Sequence, residues 1–319
     1  MIEVIRPGTF TTLQDHGRRG YHHLGVSPGG AMDQVSFEMA TLLVGNSLQT
    51  AALEITFAGA ELFFHESAVI ALAGADLGAL LEERPVSTGK RIYVPSGATI
   101  RFAQQRAGCR VYLAVEGGFE IPRVMGSEST LLIAGVGGGY GRPLQKGDTL
   151  AFRQTRSTPE QANWFIDTYS HWSSSRIRFW KGPEWASFSD KSHHHIHSST
   201  YHLSREMNRM GYRLKGPHLE TTSRSEMISE AVTVGTIQVP PGGAPIILMA
   251  DGQTTGGYPR IGQVAQVDLP ILAQKRPGDE LYFELISLDE ARQLQQIQRL
   301  WRNEVRAAIH WKLRRGGTS

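Results

Sequence analysis

The sequence predicts a mainly β protein of two similar antiparallel barrels in tandem, with few helices and one helix at the C-terminal end. Three observations predict this fold class. Glycine makes up 35 of the 319 residues, and helical periodicity is scarce before residue 288, so strands and tight turns are expected to dominate. Short apolar runs are separated by glycine, proline and serine. Landmarks of the first half recur in the second half, which indicates an internal duplication.

The first half begins with a short strand over residues 2–5, which Pro7 and Gly8 terminate. A polar, glycine-rich stretch leads to Asp33, whose carboxylate suits the N-cap of a helix. Apolar residues then follow helical spacing until Gly45 and Asn46 end the helix. Six short strands come next, an arrangement typical of an antiparallel barrel. They are predicted at residues 53–57, 61–64, 68–72, 91–94, 98–103 and 110–115.

The internal repeat consists of three pairs of segments that keep their order along the chain. One pair alone would be chance, but three in register indicate duplication. The pairs are residues 18–25 with 209–216, residues 113–117 and 122–123 with 248–252 and 259–260, and residues 147–152 with 278–283. We therefore expect a first barrel over residues 1–158, a second barrel over residues 176–286, and a C-terminal helix over residues 287–315.

The C-terminal helix is predicted to begin at a capping box formed by Ser287 and Glu290. Apolar residues follow helical spacing along it, and we expect the face of Leu294, Ile297 and Leu300 to pack against the protein. Cationic residues accumulate near its C-terminal end, where the helix dipole favours them.

Composition excludes several classes of protein. Hydrophobic residues are 40% and charged residues 20% of the chain, as in a globular protein. No apolar run is long enough to cross a bilayer, and the start resembles no signal peptide. The single cysteine, Cys109, excludes internal disulfides and suits a reducing cytosol, so we expect a cytoplasmic protein. The net charge of +3 lacks an accompanying nucleic-acid motif, so we expect no nucleic-acid partner.

The histidines are not expected to bind a metal. Residues 192–198 include four histidines, but consecutive residues of a strand point to opposite faces, so few of them could share one ion. A surface loop is the favoured interpretation of this cluster. His16, His22 and His23 lack the spaced carboxylates or cysteines of a zinc site.

One loop combines more polar chemistry than its surroundings. It follows an apolar strand predicted at residues 246–250 and contains three glycines before residue 260. Glycines let a backbone approach a ligand closely, so the loop indicates a site for a small polar molecule. The alternative is a polar hairpin with two glycines in its turn. The polar side chains are those of Asp251, Gln253, Thr254, Thr255, Tyr258 and Arg260.

Four motifs together resemble the allophanate hydrolase subunit 2 family, and the resemblance covers nearly the whole chain. Members of this family include the C subunit of 5-oxoprolinase, the KipI antagonist of sporulating bacteria and part of the carboxyltransferase region of urea carboxylase. The resemblance implies a pair of cyclophilin-like β-barrels, in agreement with the repeat. The motifs are Leu13-Gln-Asp-His-Gly-Arg-Arg-Gly-Tyr21, Pro28-Gly-Gly-Ala-Met-Asp33, Asn208-Arg-Met-Gly-Tyr-Arg213 and the stretch from Asp251 to Gly262.

A chain of this length, without a fused biotin carboxylase or biotin-carrier segment, looks most like the C subunit of a bacterial 5-oxoprolinase. That resemblance implies ATP-dependent cleavage of a small amide, 5-oxo-L-proline, to L-glutamate. It also implies two partners, an allophanate hydrolase subunit 1-type (KipI-like) protein and a third 5-oxoprolinase subunit. Two alternatives stay open: a regulator that binds a protein inhibitor, and a biotin-dependent carboxyltransferase acting on a urea-like amide.

The sequence contains no standard nucleotide-binding motif. The glycine-rich loop at residues 135–141 lacks the Gly-Lys-Ser/Thr ending of a P-loop and has no helix after it. ATP would therefore be bound with the partner subunits or in a non-standard pocket. A Ser-Ser-Lys amidase signature is also missing, so the family name does not imply allophanate hydrolysis here.

Under the enzyme interpretation, three residues are candidate catalytic groups because they lie closest together in sequence. Asp251 could act as a base or orient a partner, Thr255 could contact the ligand, and Arg260 could present a planar fork to a carboxylate or phosphate. The matching loop of the first copy has Glu116 and Arg123 but neither threonine, which favours the second barrel.

Further residues are candidates for binding the substrate. Structural alternatives stay open for some of them: Arg209 and Asp15 could form a buried pair that closes the barrel ends, and Asn208 could cap a turn. The candidates are Asn208, Arg209, Gln238, Thr254, Tyr258 and Asp15.

Overall fold

The computed structural model describes residues 1–153, 164–167, 174–222 and 227–316. They form a mainly β protein, as the sequence predicts. The chain divides into two compact units, as far as their segments are described. The first comprises Met1–Arg18, Gly29–His171 and Arg302–Ser319, and the second comprises Arg19–Pro28 and Trp172–Trp301.

This division differs from the expected domain bounds at two segments. Residues 19–28 belong to the second unit, where the Ser27 hydroxyl donates a hydrogen bond of 2.6 Å to the Gly252 carbonyl. The chain from Arg302 belongs to the first unit, where its guanidinium pairs with Glu38. The expected bound at residue 158 lies outside the described residues.

The first unit contains strands β1 Ile2–Pro7, β2 Phe10–Gln14, β3 Ala52–Thr56, β4 Ala60–Phe64, β5 Ala68–Asp76, β6 Ala79–Leu81, β7 Arg84–Pro85, β8 Arg91–Val94, β9 Thr99–Phe102, β10 Ala107–Val115 and β11 Thr149–Leu150. They form two antiparallel sheets, in the orders β11-β1-β4-β9-β6-β7 and β2-β3-β10-β5-β8. One apolar core takes side chains from both sheets. Because Pro85 lacks an N–H, the edge strand β7 cannot form a regular ladder with a further strand.

Helix α1, Gln34–Leu43, lies on the second of these sheets and is almost entirely buried. Asp33 caps it as predicted, since its carboxylate accepts a hydrogen bond of 3.0 Å from the Ser36 N–H. The Asp33 N–H in turn donates to the Tyr112 hydroxyl at 2.8 Å, and that hydroxyl donates to Glu54 at 2.7 Å. This chain of hydrogen bonds fixes the start of α1 over strands β3 and β10.

The second unit contains strands β12 Arg176–Lys181, β13 Thr200–Leu203, β14 Gly211–Lys215, β15 Glu230–Ala231, β16 Thr236–Gln238, β17 Ile246–Leu248, β18 Thr255–Gly256, β19 Arg260–Val264 and β20 Glu280–Leu285. Seven of them close into a barrel in the order β12-β19-β16-β17-β14-β13-β20, and β15 pairs separately with β18. The buried rings of Phe179 and Tyr201 each contact Phe283 in a T-shaped arrangement, at 5.9 and 5.8 Å between centroids. The predicted second barrel is confirmed.

The histidine cluster lies on a helix, so the prediction of a loop is wrong. Helix α2, Asp190–Ser198, begins where the Ser189 hydroxyl accepts a hydrogen bond from the Ser192 N–H. His193 stacks on the ring of Trp185 with 4.2 Å between centroids. A serine N-cap and an acidic first turn stabilise this helix in a segment that contains a single apolar residue, Ile196.

The two remaining helices are α3, Leu269–Ala273, and α4, Leu288–Gly316. The capping box of α4 is confirmed, but the expected packing face is wrong: Ile297 is 63% and Leu300 56% exposed. The apolar residues Ala291 and Ile309 are buried instead, and polar residues also hold the helix. Gln298 donates a hydrogen bond to the Val267 carbonyl at 3.4 Å, and Arg302 pairs with the buried Glu38. None of the described helices has the length and apolar character needed to cross a membrane.

We expect Gly30→Ala to destabilise the protein because the turn before α1 leaves no room for a side chain. A Cβ at residue 30 would lie 2.5 Å from the Gly17 nitrogen and 2.8 Å from the Asp15 carbonyl oxygen, at a φ of +82°. Backbone atoms must move to relieve this contact. We expect the loss in unfolding free energy to exceed that of Gly97→Ala by about 1–3 kcal/mol.

Gly97 is a matched control, since it has a φ of +81° and nothing within 4 Å of an added Cβ. Both alanines would suffer the left-handed backbone strain, so their difference isolates the steric contact. Denaturant unfolding of the two variants measures it. Equal losses would mean that the turn at Gly30 relaxes freely.

Candidate functional site

The predicted site loop connects strands β17 and β19 of the barrel and contains the short strand β18. It begins at Asp251, which forms a buried ion pair with Arg209. The Arg209 Nε and Nη2 atoms donate to the two carboxylate oxygens at 2.8 and 2.9 Å, and both side chains are at least nine-tenths buried. The Asp251 N–H also donates to the Arg209 carbonyl at 2.8 Å. This pair fixes the start of the loop.

Arg260, at the other end of the loop, is also engaged in ion pairs. Its Nε and backbone N–H donate to Glu184 Oε2 at 2.7 and 3.0 Å, and Nη2 donates to Glu184 Oε1 at 2.6 Å. The same Nη2 atom pairs with Glu230, and Nη1 donates to the Ala231 carbonyl at 3.0 Å. The hydrogen bonds to Glu184 first, and then to Glu230, raise the pKa of Arg260 above its ordinary value. The guanidinium is therefore oriented toward protein carboxylates.

The pKa of Glu184 responds to the same contact. Burial raises this pKa, but hydrogen bonds from the side chain and backbone of Arg260 together lower it more, so the net result lies below the ordinary value of 4.5. Glu184 is consequently ionised at neutral pH, and the ion pair links the turn after β12 to the start of β19.

The middle of the loop contacts Gln238 of β16. Gln238 is buried and donates a hydrogen bond of 3.4 Å to the Tyr258 carbonyl, while the Tyr258 side chain is 42% exposed. A Cβ at Gly256 would lie 2.4 Å from the Gln238 Nε2 atom and 3.1 Å from that of Gln253. Glycine at this position therefore lets two amide side chains approach the same point of the backbone.

The two threonines differ in exposure. Thr254 is buried, and its carbonyl accepts a hydrogen bond of 3.0 Å from the Val232 N–H. Thr255 is exposed and lies on β18, opposite Ala231 of β15. Both therefore anchor the loop to the segment around residue 231 through their backbone.

Asn208 and Asp15 form local hydrogen bonds. The Asn208 side-chain oxygen accepts from the N–H groups of Met210 and Gly211, which bears out the turn-capping alternative. Asp15 lies in the first unit and is buried, where it accepts from the Ser127 hydroxyl and the Glu128 N–H, both at 2.7 Å. The predicted residues thus include two ion-paired arginines and several groups that hold the backbone.

A cleft of about 410 Å³ lies beside this loop within the second unit. Gly252 and Gln253 are the loop residues that line it. The other polar residues that line the cleft were not predicted from the sequence. Gln263 and Gln266 follow Arg260 closely along the chain, and His22 lies in the repeated segment at residues 18–25. Its polar and aromatic lining comprises His22, Trp180, Thr233, Gln253, Gln263 and Gln266.

The cleft offers amide, hydroxyl and imidazole groups. Among the described residues that line it there is no carboxylate, ammonium or guanidinium group. A smaller cavity of about 190 Å³ shares Gln263 and Thr233 with it and is also lined by Arg260 and Lys181. The volume of the larger cleft is in the range of small-molecule sites. This arrangement suits an uncharged polar ligand group such as an amide.

The sequence predicts no metal centre. Within the described ranges, no group of three or more histidine, cysteine, aspartate or glutamate residues is placed to hold an ion.

Comparisons with known proteins give consistent similarities. Residues 24–285 match the family described as "Carboxyltransferase domain, subdomain A and B". The chain is 39% identical over 310 residues to the C subunit of 5-oxoprolinase from Escherichia coli (strain K12), covering 97% of this chain and 99% of that protein. It is 36% identical over 312 residues to the C subunit of 5-oxoprolinase from Haemophilus influenzae, covering 98% of this chain and 100% of that protein.

A solved structure also resembles the chain. The urea carboxylase of Kluyveromyces lactis superimposes with a TM-score of 0.86 at 30% identity, over 95% of this chain and 29% of that larger protein. The similarity therefore concerns one part of a longer protein.

Proposed function

Because the chain belongs to the carboxyltransferase domain family, subdomains A and B, we propose that it is the C subunit of an ATP-dependent 5-oxoprolinase. The observation that carries the proposal is the similarity over nearly the whole of both chains to the C subunit of the Escherichia coli 5-oxoprolinase. The reaction cleaves the lactam C–N bond of 5-oxo-L-proline. One water supplies the oxygen of the new carboxylate and the proton of the new amine, so the product is L-glutamate. In the same turnover, a second water is consumed as ATP is cleaved to ADP and phosphate.

The cleft beside Gln253 supports a role in holding the small amide. Its described lining contains no carboxylate, ammonium or guanidinium group and is rich in side-chain amides, which can donate to a carbonyl and accept from an N–H. The buried Asp251–Arg209 pair keeps the adjoining backbone in place. In this proposal Asp251 and Arg209 position the site, whereas Thr255 and Tyr258 are the exposed loop residues available to a ligand or a partner.

The cleft does not fit a nucleotide triphosphate. A triphosphate is usually held by cationic side chains or a nest of backbone N–H groups, and the described lining offers neither lysine nor arginine. We therefore assign ATP to the partner subunits. Those partners would be an allophanate hydrolase subunit 1-type (KipI-like) protein and a third 5-oxoprolinase subunit. A cytoplasmic location is part of the proposal, and a single, buried cysteine, Cys109, is consistent with a reducing compartment.

Reconstitution tests this function. The purified chain, mixed with the two partner subunits from the same genome, is expected to form glutamate from 5-oxo-L-proline only when ATP is present. The chain alone is expected to be inactive, because the described lining of its cleft offers no lysine or arginine for a triphosphate. Omission of the chain should abolish the activity of the mixture. A complete mixture that binds together but forms no glutamate would overturn the proposal, and activity of the isolated chain would overturn the need for partners.

A second candidate is transfer of a carboxyl group from carboxybiotin to a urea-like amide. The similarity to urea carboxylase of Kluyveromyces lactis favours it, and an amide-lined cleft would also accept urea. The same purified chain can be tested with a biotin-carrying protein and labelled bicarbonate. Incorporation of label into urea, together with no glutamate formation in the first assay, would favour this candidate.

A further inference from the structure

The three glutamines of the cleft differ in whether their amides are already engaged. The Gln263 oxygen accepts from the Thr236 hydroxyl at 2.9 Å, and its nitrogen donates to the Val234 carbonyl at 2.7 Å. The Gln266 oxygen accepts from Gln295. Within the described part of the chain, the exposed Gln253 amide forms no side-chain hydrogen bond. Gln253 is therefore the amide of the cleft that can offer both of its functions to a ligand.

The backbone that carries Gln253 is held on both sides. The preceding residue, Gly252, accepts a hydrogen bond of 2.6 Å from the Ser27 hydroxyl and donates one of 2.8 Å to the Met249 carbonyl. The following residue, Thr254, accepts one of 3.0 Å from the Val232 N–H. Beyond Gly252 lies the buried Asp251–Arg209 pair. Because this backbone is already fixed, binding of a ligand needs to order only the side chain of Gln253.

A primary amide has a matching partner in a cis-amide. On one edge, the Gln253 side chain presents one N–H and its carbonyl oxygen side by side. A five-membered lactam ring forces its own N–H and C=O onto one edge, so the two groups can form a pair of parallel hydrogen bonds. An open-chain peptide amide is trans and directs the two groups in opposite directions. The geometry therefore favours lactams over peptides.

We infer that Gln253 is a specificity-determining residue that binds the cis-amide edge of the substrate through two hydrogen bonds. The inference rests on the proposed function for the identity of the ligand, 5-oxo-L-proline. It assigns the ligand class as small cyclic amides with a free N–H. The lining supports this assignment, because its described residues include no carboxylate, ammonium or guanidinium group that would compete with Gln253 for the amide.

Substitution of Gln253 tests the inference in the reconstituted complex. Gln253→Leu keeps a similar size and removes both hydrogen bonds. We expect kcat/KM for 5-oxo-L-proline to fall about ten- to a hundredfold, mainly through a higher KM, as for the loss of two hydrogen bonds between neutral groups. Gln296→Leu is the matched control, since Gln296 is exposed on α4 and outside the cleft. The control is expected to keep the kinetics of the unchanged complex.

A lactam methylated on its nitrogen shows whether Gln253 binds the substrate amide or only supports the structure of the cleft. In the unchanged complex, kcat/KM should be much lower for N-methyl-5-oxoproline than for 5-oxoproline. In the Gln253→Leu complex, the ratio of the two kcat/KM values should move toward one, because neither substrate can then form the hydrogen bonds to Gln253. If the variant folds normally and keeps both its KM and this discrimination, Gln253 does not bind the amide and the inference is overturned.

Failure of the proposed function gives a different result. A complete mixture that forms no glutamate would count against the function, whereas the inference can still be tested on the isolated full chain. We expect 2-pyrrolidinone to shift the NMR signals of residues 252–254, and Gln253→Leu to abolish the shift. No shift at concentrations well above the KM range of small-molecule enzymes would overturn the inference.

Discussion

Replacing Arg209 by methionine is expected to lower the free energy of unfolding by about 3–5 kcal/mol, because the change leaves the Asp251 carboxylate buried without its cation. Asp251 is 1% and Arg209 4% exposed. Two parallel hydrogen bonds of 2.8 and 2.9 Å join them. The geometry is bidentate, which makes such a pair strong and specific in orientation. When one partner is removed, the other charge stays buried without a compensating interaction, and this lowers the free energy of unfolding.

The measurement is denaturant unfolding of the two variants Arg209→Met and Arg292→Met. Arg292 is a suitable control because its pair with Asp289, at 3.2 Å, is 67% and 83% exposed on the two sides. That exposed pair should contribute at most about 1 kcal/mol. Combining Arg209→Met with Asp251→Leu should recover part of the loss, since no charge then remains buried. A loss for Arg209→Met no larger than that of the control would contradict the assignment of a buried pair.

Elements with local signals could be predicted from the sequence. The carboxylate of Asp33 lies three residues before the N–H that it caps, and the Ser287–Glu290 box has the same spacing. Alternation in strands is also local: Ala60, Leu62 and Phe64 of β4 are buried, and the residues between them are partly exposed. These patterns need no knowledge of distant segments, so many of the strands and the helices α1 and α4 follow from them.

Local sequence patterns do not predict contacts between segments that are distant in the sequence. The position of Arg260 in the loop predicts that it holds a ligand, but its carboxylate partner Glu184 lies 76 positions away in the sequence. Nothing in the loop itself indicates that pairing. The packing of α4 differs from the prediction for a related reason. Gln298 and Arg302 face the protein because each has a partner that is distant in the sequence. Gln298 donates a hydrogen bond to the Val267 carbonyl, and Arg302 forms an ion pair with Glu38.

The candidate cleft depends both on a loop with a local sequence signal and on contacts between distant segments. Gln253 belongs to the loop that composition and glycine content singled out. Gln263 and His22 reach the same cleft from β19 and from the segment at residues 19–28. Their meeting depends on closure of the barrel and on the hydrogen bond from Ser27 to Gly252. The loop could therefore be predicted as a site from sequence, whereas its lining could not.

Replacing Arg260 by methionine is expected to lower the free energy of unfolding by about 2–4 kcal/mol, while the rate per folded complex stays within a few-fold of the unchanged protein. The expected loss lies between those of a surface pair and a fully buried pair, because Glu184 is 22% and Glu230 57% exposed. Arg260→Lys keeps the charge but loses the planar fork, so its loss should be intermediate. Arg213→Met, which breaks an exposed pair of 3.0 Å with Glu206, is the control within the same barrel.

The effect of Arg260→Met should depend on pH in a defined direction. Although burial raises the pKa of Glu184, its hydrogen bonds with Arg260 hold that pKa below the ordinary value of 4.5. A carboxyl group with a lower pKa in the folded state stabilises the protein fully above its unfolded pKa. That stabilisation is lost as the pH falls through the folded pKa. The difference in stability between the unchanged chain and Arg260→Met is therefore expected to be largest near neutral pH and to shrink below about pH 4.

Melting temperatures across this pH range, and rates of the reconstituted complex at neutral pH, check both parts of the Arg260 prediction. Because Arg260 lines the smaller cavity beside the cleft, the rate is the decisive measurement. A variant with an unchanged melting temperature and a rate reduced more than tenfold would mean that the guanidinium binds a ligand, as its position in the loop first indicates. A lowered melting temperature with a near-normal rate would assign Arg260 to the ion pair that joins β19 to the turn at Glu184, leaving recognition of the amide to the glutamines of the cleft.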